Sequence, residues 1–357
     1  MTDPATTVPG RRLLVVSPAK NEEEYLERTI ESLAAQVLRP ALWVIVDDGS
    51  TDRTAALADA AARRHEWIKV VHRPQATERR VGPGVIEAFY AGLETVDLAG
   101  YDYVCKLDAD LVVPPRYFAE LIRRFEANPR LGTASGKIYT PIGDQVVWER
   151  TSDDLSVGAA KLYRRQCFDE IGGFVREVMW DGIDCHRCRM LGWQAASYPD
   201  PELSLCHLRL MGSSHQSIYH GRRRGGRGQY FMGTHPLYFL AIVGYRLADR
   251  PRVLGALHFL FGYLAAWWQG AARYDDPAFR RHLRSWQLRE LRRRLTGRSQ
   301  SSTPRPRAGP TSWARYMSRM GRNHALPWQL VVSTWMMVGG EGGTPAAILA
   351  VVADLPV

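Results

Sequence analysis

Cysteine is scarce and odd in number, five in 357 residues. That count argues against a disulfide framework and for free thiols in a reducing compartment. The opening MTDPATTVPG is polar and proline-bearing, unlike a signal peptide, so a cytosolic setting is expected. No apolar run reaches the ~18–20 uninterrupted residues of a spanning helix. The nearest, VLGALHFLFGYLAAWWQ at 253–269, is short and holds His258, and reads as an interfacial or re-entrant segment, a buried helix or a span. No G-x-G-x-x-G loop follows the first apolar run, which argues against a dinucleotide-binding domain and equally against a sugar-phosphate nucleotidyltransferase. Acids are few in the second half. The net charge of +10 conceals 22 Lys+Arg against 7 Asp+Glu in residues 201–357, and 25 against 30 in residues 1–200. The two halves are expected to meet different partners.

What is present is an alternation. RRLLVVSPA (11–19), ALWVIVDDGS (41–50), WIKVVHR (67–73) and YDYVCKLD (101–108) are near-continuous apolar runs, hence buried strands. Between and after them NEEEYLERTIESLAAQ (21–36, with Asn21 as N-cap), TDRTAALADAAARR (51–64), PGVIEAFYAGLETV (83–96) and PRYFAELIRRFEAN (115–128) have helical spacing. The pattern implies a mostly parallel α/β sheet with helices on both faces, in which ligands bind at the strands' carboxyl ends. From 140 to 200 the pattern loosens. WDGIDCHRCRMLGW opens a helix with Asp181, Asp184 and Arg187 on one face, and residues 209–235 suit a mobile loop. DDPAFRRHLRSWQLRELRRRLTGR (275–298) is a basic helix with an apolar stripe of Phe279, Leu283, Trp286, Leu291 and Leu295, and SQSSTPRPRAGPTS after it is a linker by composition. The units are therefore 1–235, a catalytic domain; 236–298, an apolar and basic helical docking region; and 299–357, a linker and an unassigned tail.

The motifs share one edge of the sheet. SPAKNE ends the first strand, VDDGSTD the second and KLDAD the fourth. Asp47 and Asp48, with Gly49 to let the chain pass closely, can accept from a nucleobase or ribose; equally, Asp47 or Ser50 can cap the next helix. Asp108 and Asp110 at a strand end suit one oxygen-ligated Mg²⁺ or Mn²⁺ bridging a diphosphate, and their bland alternative is a solvated acidic turn. Cys185 and Cys188, with His186 between them, lack a second pair at zinc spacing and read as packed thiols.

VVSPAKNEEEYLERTIESLAAQ, VIVDDGSTDRT and YVCKLDADLVVPP, in this order, resemble family 2 glycosyltransferases of the GT-A fold over roughly residues 12–200. The resemblance implies an inverting transferase with a nucleoside diphosphate sugar donor, a divalent cation (Mn²⁺ or Mg²⁺), and a glycan or polyprenyl-linked acceptor of surface polysaccharide or glycolipid synthesis. It assigns the donor to Ser17, Pro18, Ala19, Asn21, Glu22, Asp47, Asp48, Gly49, Arg80, Lys106, Asp108 and Ala109, and the metal to Asp108 and Asp110. His207 could reach the metal or the diphosphate, or be a buried histidine bonded to backbone. The family's base lies in a Glu-Asp pair about eleven residues before a Gly-aromatic pair. Gly192-Trp193 puts Asp181 in that place, with Trp180 where the glutamate usually stands and Asp184 one turn on as the other candidate. Arg222, Arg223, Arg224 and Arg227 in HGRRRGGRGQYFMGTHP suit a lid over the diphosphate or a solvated basic loop, and Arg224 and Arg227 are carried as donor contacts. The arginine helix beside the apolar segment fits an anionic membrane surface on its cytoplasmic side. Nucleic acid is not expected, because the aromatic residues lie in apolar stripes and form no exposed platform.

Overall fold

The computed structural model describes residues 11–74, 83–142, 145–149, 151–209, 218–247 and 252–296. Arg80 and residues 299–357 lie outside them. The alternation folds as read: β1 (Leu13–Ala19), α1 (Leu26–Ala34), β2 (Leu42–Asp47), α2 (Thr54–Arg64), β3 (Ile68–His72), α3 (Pro83–Leu93), β4 (Tyr103–Leu107), then a short β5 (Leu111–Val112) and α4 (Tyr117–Ala127). Alternate strand residues serve opposite layers, which is why these strands are apolar throughout. Leu13, Val15, Trp43 and Ile45 pack with Leu26, Ile30 and Phe118 on one face. Leu14, Val16, Val44 and Val46 pack with Ile86, Phe89 and Leu93 on the other.

Next come β6 (Leu131–Gly136), β7 (Ile138–Ile142), β8 (Gln145–Trp148), β9 (Ala160–Arg164), α5 (Arg165–Glu170), α6 (Trp180–Met190), β10 (Gln194–Tyr198) and β11 (Leu205–His207). The main sheet has the order β10-β6-β9-β4-β1-β2-β3. It is mixed: β9 runs antiparallel to both β4 and β6, and the other pairings are parallel. A second sheet, β5-β11-β7-β8, occupies the stretch where the sequence pattern loosened. Register aligns Ala19 with Asp47 and Val16 with Lys106, so the loops after β1, β2 and β4 leave from one rim.

Three expectations change. Asn21 is no helix cap. It sits at φ 56°, its amide donates to Ser50 Oγ at 3.0 Å and its Oδ1 accepts from the Thr51 amide at 2.8 Å, so it ties the β1 and β2 loops together and α1 starts later. The expected mobile loop contains a helix, α7 (Ile218–Met232), followed by α8 (Pro236–Arg246), α9 (Arg252–Trp268) and α10 (Pro277–Leu295). The glycines that suggested a loop are there for close packing. A Cβ on Gly226 would lie 1.9 Å from the Phe259 carbonyl oxygen of α9, and one on Gly262 would lie 2.0 Å from that of Arg223. α7 ends at Met232, short of the expected boundary at 235, yet it packs with a helix beyond that boundary, α9.

The stripe of α10 is also used internally. Asp276 caps the helix through the Phe279 amide at 2.8 Å, and Phe279 and Leu283 are fully buried with Ile183 of α6 and Met232 of α7. Apolar exposure falls instead on α8 and α9. No described helix is long and apolar enough to cross a membrane.

The helix crossing generates a paired test. Gly221 on α7 faces open space, so Gly221→Ala should leave stability unchanged or raise it by up to ~1 kcal/mol. Gly226→Ala, five residues along, should lower it by ~2 kcal/mol through overpacking. Denaturant midpoints read both; equal midpoints would rule out the backbone contact between α7 and α9.

Candidate active site

The two acids ending β2 divide their work. Asp47 is buried, accepts from the Ser50 amide at 3.0 Å and lies 3.2 Å from His72 Nδ1; it closes the turn that Gly49, at φ 68°, completes. Asp48 sits beside the cleft, paired with the Arg73 guanidinium. Burial raises its pKa and Arg73 opposes the rise. Ser17 is a correction: it is fully buried in the sheet, and its hydroxyl accepts from Trp43 Nε1 at 2.9 Å, so it offers the donor nothing. Pro18 and Ala19 end β1, and the backbone carbonyl of Ala19 takes the Asp48 amide at 2.8 Å. Glu22 is buried and pairs with Arg209 at 2.6 Å.

Past β4 the chain meets the second sheet. Lys106 is buried, so its part is indirect: Nζ donates to Asp108 and, at 3.0 Å, to the Gly158 carbonyl. Asp108 remains partly exposed. Burial raises its pKa, Lys106 works against that, and the neighbouring Asp110 adds to it. The Ala109 carbonyl is pinned by Thr29 Oγ1 at 2.8 Å. Asp110 is only 3% exposed. Its Oδ2 meets His207 Nε2 at 3.2 Å and Arg209 Nε at 2.6 Å. Burial would raise its pKa, but these two cations hold it below the usual carboxylate range. His207 also lies 3.1 Å from Glu149 Oε1. Burial disfavours its charge, yet the two carboxylates raise its pKa to about 10.

That pairing bears on the metal. Both imidazole nitrogens face acids, so in this arrangement His207 supports Asp110 and Glu149. The oxygens that fit a cation are Asp110 Oδ1 and Glu149 Oε2, each buried with no hydrogen-bond partner among the described residues. A buried carboxylate oxygen without a donor is costly, and a hard divalent cation is what relieves it. Among the described residues no three acidic, histidine or cysteine side chains form a closed cage. Mg²⁺ and Mn²⁺ suit that arrangement, completing their shell with water and substrate phosphate.

The α6 candidates separate cleanly. Asp184 is 1% exposed, and its oxygens lie 2.6 and 2.7 Å from Lys161 Nζ, with Tyr163 donating to Oδ2 as well. It is an anchor of α6 in the core and has no open lone pair for an acceptor. Asp181 lies in the first turn. The cap residue is Met179, at φ 69°, so Asp181 does not cap the helix. Its backbone carbonyl takes Lys161 Nζ at 2.5 Å, while its carboxylate forms no hydrogen bond among the described residues. A Cβ on Gly158 would stand 2.9 Å from Asp181 Oδ2. Since Gly158 also holds Lys106, and Lys106 holds Asp108, Asp181 and Asp108 border one small space. Trp180, ahead of it, has Lys106 and Lys161 over its ring at 5.2 and 5.4 Å.

Residues 14–180 match the model of glycosyl transferase family 2. The chain carries a family 2 glycosyltransferase domain. It is 32% identical over 147 residues to the polyprenol monophosphomannose synthase of Mycolicibacterium smegmatis, covering 41% of this chain and 52% of that protein. Against the undecaprenyl-phosphate mannosyltransferase of Micrococcus luteus it is 33% identical over 154 residues, 43% of this chain and 59% of that one. The β-monoglucosyldiacylglycerol synthase of Synechocystis sp. matches at 25% over 256 residues, 64% of this chain and 50% of that protein. The chain therefore spans between half and three-fifths of these relatives. The structure of GalNAc-T7 with UDP, GalNAc and Mn²⁺ superposes with TM-score 0.52 at 16% identity, over 82% of this chain and 58% of that one, which shows the GT-A fold.

Sequence reasoning missed two members of the glycosyltransferase domain's acid cluster. Arg209 lies two residues past His207, beyond the end of β11, at the start of the stretch that the sequence pattern reads as a loop. Glu149 had no local signal, since only the pairing of β7 with β8 delivers it. Arg224 and Arg227 line a cavity between α7 and α9, away from the acids. Cys185 and Cys188 are buried free thiols, as expected.

Removing charge from α6 distinguishes anchor from cleft. Asp184→Asn leaves Lys161 buried without its partner and should cost ~3–5 kcal/mol, whereas Asp181→Asn should stay within ~0.5 kcal/mol of wild type. Urea titration gives both numbers, and a wild-type midpoint for Asp184→Asn would refute the anchor assignment.

Proposed function

We propose that this domain transfers a sugar, with inversion, from a nucleoside diphosphate sugar to a hydroxyl of a lipid-linked glycan acceptor. The observation that carries the reading is Asp181, whose carboxylate has no hydrogen-bond partner among the described residues, near Asp108 and acids that each have a cationic partner. In-line displacement at the anomeric carbon needs the acceptor hydroxyl to lose a proton, and Asp181 is placed to accept it. Asp48 and Arg73 would receive the nucleoside, and Asp108 and Asp110 would face the diphosphate. Asp110, with Glu149 beside it, would hold a divalent cation, which when bound neutralises charge growing on the leaving diphosphate. His207 and Arg209 orient Asp110 for that task. The named relatives, two acting with polyprenyl phosphates and one named for a diacylglycerol glycolipid, support a lipid-linked acceptor.

Docking on the cytoplasmic face of a membrane belongs to the same proposal. α9 exposes Leu254, Leu257, Phe261, Leu264 and Trp267, and its Trp268 is 84% exposed. Aromatic residues at the end of an exposed apolar stripe favour the headgroup level of a bilayer, and the surrounding arginines favour anionic lipid.

Two measurements test these statements. With a panel of nucleotide-sugars and Mn²⁺, wild type should release nucleoside diphosphate. Asp181→Asn should bind donor normally while transfer drops by ~10²-fold or more, and Asp110→Asn should bind donor equally with and without Mn²⁺. Full transfer by Asp181→Asn would remove the base. Replacing Trp267 and Trp268 by serine should weaken sedimentation with anionic vesicles several-fold; undiminished binding would remove α9 as the docking element.

A further inference from the structure

The helices α7 and α9 line an open pocket of about 280 Å³ that takes no part in the acid cleft. From α7 it is lined by His220, Arg224 and Arg227, which recur at helical spacing and share a face, and from α9 by Phe261, Ala265 and Gln269. Arg224 is half-buried there, and neither it nor Arg227 forms a hydrogen bond or ion pair among the described residues. Arg223, at the same wall, lies over the Phe261 ring at 4.3 Å. The cations around the acid cleft are met by carboxylates, whereas the second half has few acids to offer. Two neighbouring guanidinium groups facing a cavity without a carboxylate form a site for a multiply charged anion.

Its surroundings specify what the anion is attached to. Phe261 lines the cavity and belongs also to the exposed apolar stripe Leu257, Phe261, Leu264 and Trp268 on the outer side of α9. An anion held here therefore has an apolar track leading from it toward solvent. On its other side α7 reaches the cleft: a Cβ on Gly228 would stand 2.5 Å from Met179 Cγ, immediately ahead of Trp180 and Asp181.

We propose that this cavity binds the doubly charged phosphate end of a single-chain lipid carrier, with Arg224 and Arg227 on the phosphate and the Leu257–Trp268 stripe along the chain. A phosphate monoester or a diphosphate carries close to two charges at neutral pH and matches two guanidinium groups, whereas a phosphodiester phospholipid offers one. The site deepens the glycosyltransferase reading, and rests on it for the role of the lipid as carrier of the acceptor. Held on α7, a diphosphate linking the lipid to a glycan keeps both charges and would present that glycan toward Asp181. The arginines expected to grip the donor are thus assigned to the acceptor's carrier.

The experiment is vesicle flotation of the full chain, using phosphatidylcholine vesicles doped with a polyprenyl monophosphate or, at equal surface charge, with phosphatidylglycerol. Wild type should bind the first about tenfold more tightly than the second, and Arg224→Gln/Arg227→Gln should lose that preference while floating weakly with both. Phe261→Ser, at an exposed position, should lose it too, so the result does not rest on the half-buried arginine alone. Nucleoside diphosphate affinity, measured by calorimetry without vesicles, should be the same for all three proteins. Equal affinity for the two vesicle types, release by millimolar inorganic phosphate, or unchanged preference in the variants would each overturn the proposal. Loss of nucleoside diphosphate affinity in the arginine variant would do so as well, returning these residues to the donor. Wild type that shows the preference but binds no nucleoside diphosphate would leave the lipid site standing and sink the transferase reading.

Discussion

Carboxylates gathered at one rim repel each other, by about 4 kcal/mol for a pair about 4 Å apart near a protein surface. That repulsion constrains the whole catalytic half. Asp48 is met by Arg73, Asp108 by Lys106, Asp110 by Arg209 and His207, and Asp184 by Lys161. Each cation comes from a different place: the turn after β3, β4 itself, the chain around the end of β11, and β9. The antiparallel insertion of β9 between β4 and β6 is thereby explained in part, since it sets Lys161 under the first turn of α6, where one ammonium group binds both the Asp184 carboxylate and the Asp181 carbonyl. Were that lysine absent, the first turn of α6 would lose the buried cation that holds the Asp181 carbonyl and the Asp184 carboxylate.

The same accounting of charge separates the two halves of the molecule. In the acid-rich half, Arg73, Lys106, Lys161, His207 and Arg209 are each engaged by an acid. In the helical half α10 buries Phe279 and Leu283 against α6 and pairs Glu290 with Arg293 and Arg294, so it braces the catalytic helix and turns its apolar stripe inward. α9 faces the other way, with apolar residues outward and with Arg224 and Arg227 of α7, which form no ion pair among the described residues, beside it. Under the proposed lipid site, that combination is what a phosphorylated lipid would meet.

How much of this was legible follows from how local each signal is. The first four strands were readable because burial on both faces forces an unbroken apolar run, and the rim was readable because each motif ends such a run. Asp108 and Asp110 stood out for the same reason. The roles within a pair were not: Asp47 and Asp48 look alike in sequence, and only the Ser50 amide and the Arg73 guanidinium, one local and one across strands, tell them apart. Asp181 and Asp184 present the same problem, resolved by Lys161, twenty residues upstream. Glu149 depends on a hairpin with no strong periodicity. The glycines of α7 misled because glycine at a loop and glycine at a close helix crossing leave the same letters, and the partner that decides between them, Phe259, lies far along the chain.

Trp180 is the remaining departure, standing where family 2 resemblance leads one to expect a glutamate. Its ring packs edge-on against Phe174 with centroids 4.8 Å apart and receives Lys106 and Lys161 on its faces. Both ammonium groups already hold carboxylates, Asp108 and Asp184. A glutamate between them would compete for the same protons and add a negative charge next to Asp181, which has no cation of its own among its side-chain partners. An indole attracts both lysines through its π face at about 0.5–2 kcal/mol each without carrying charge. It adds no charge beside Asp181, whose carboxylate forms no hydrogen bond among the described residues.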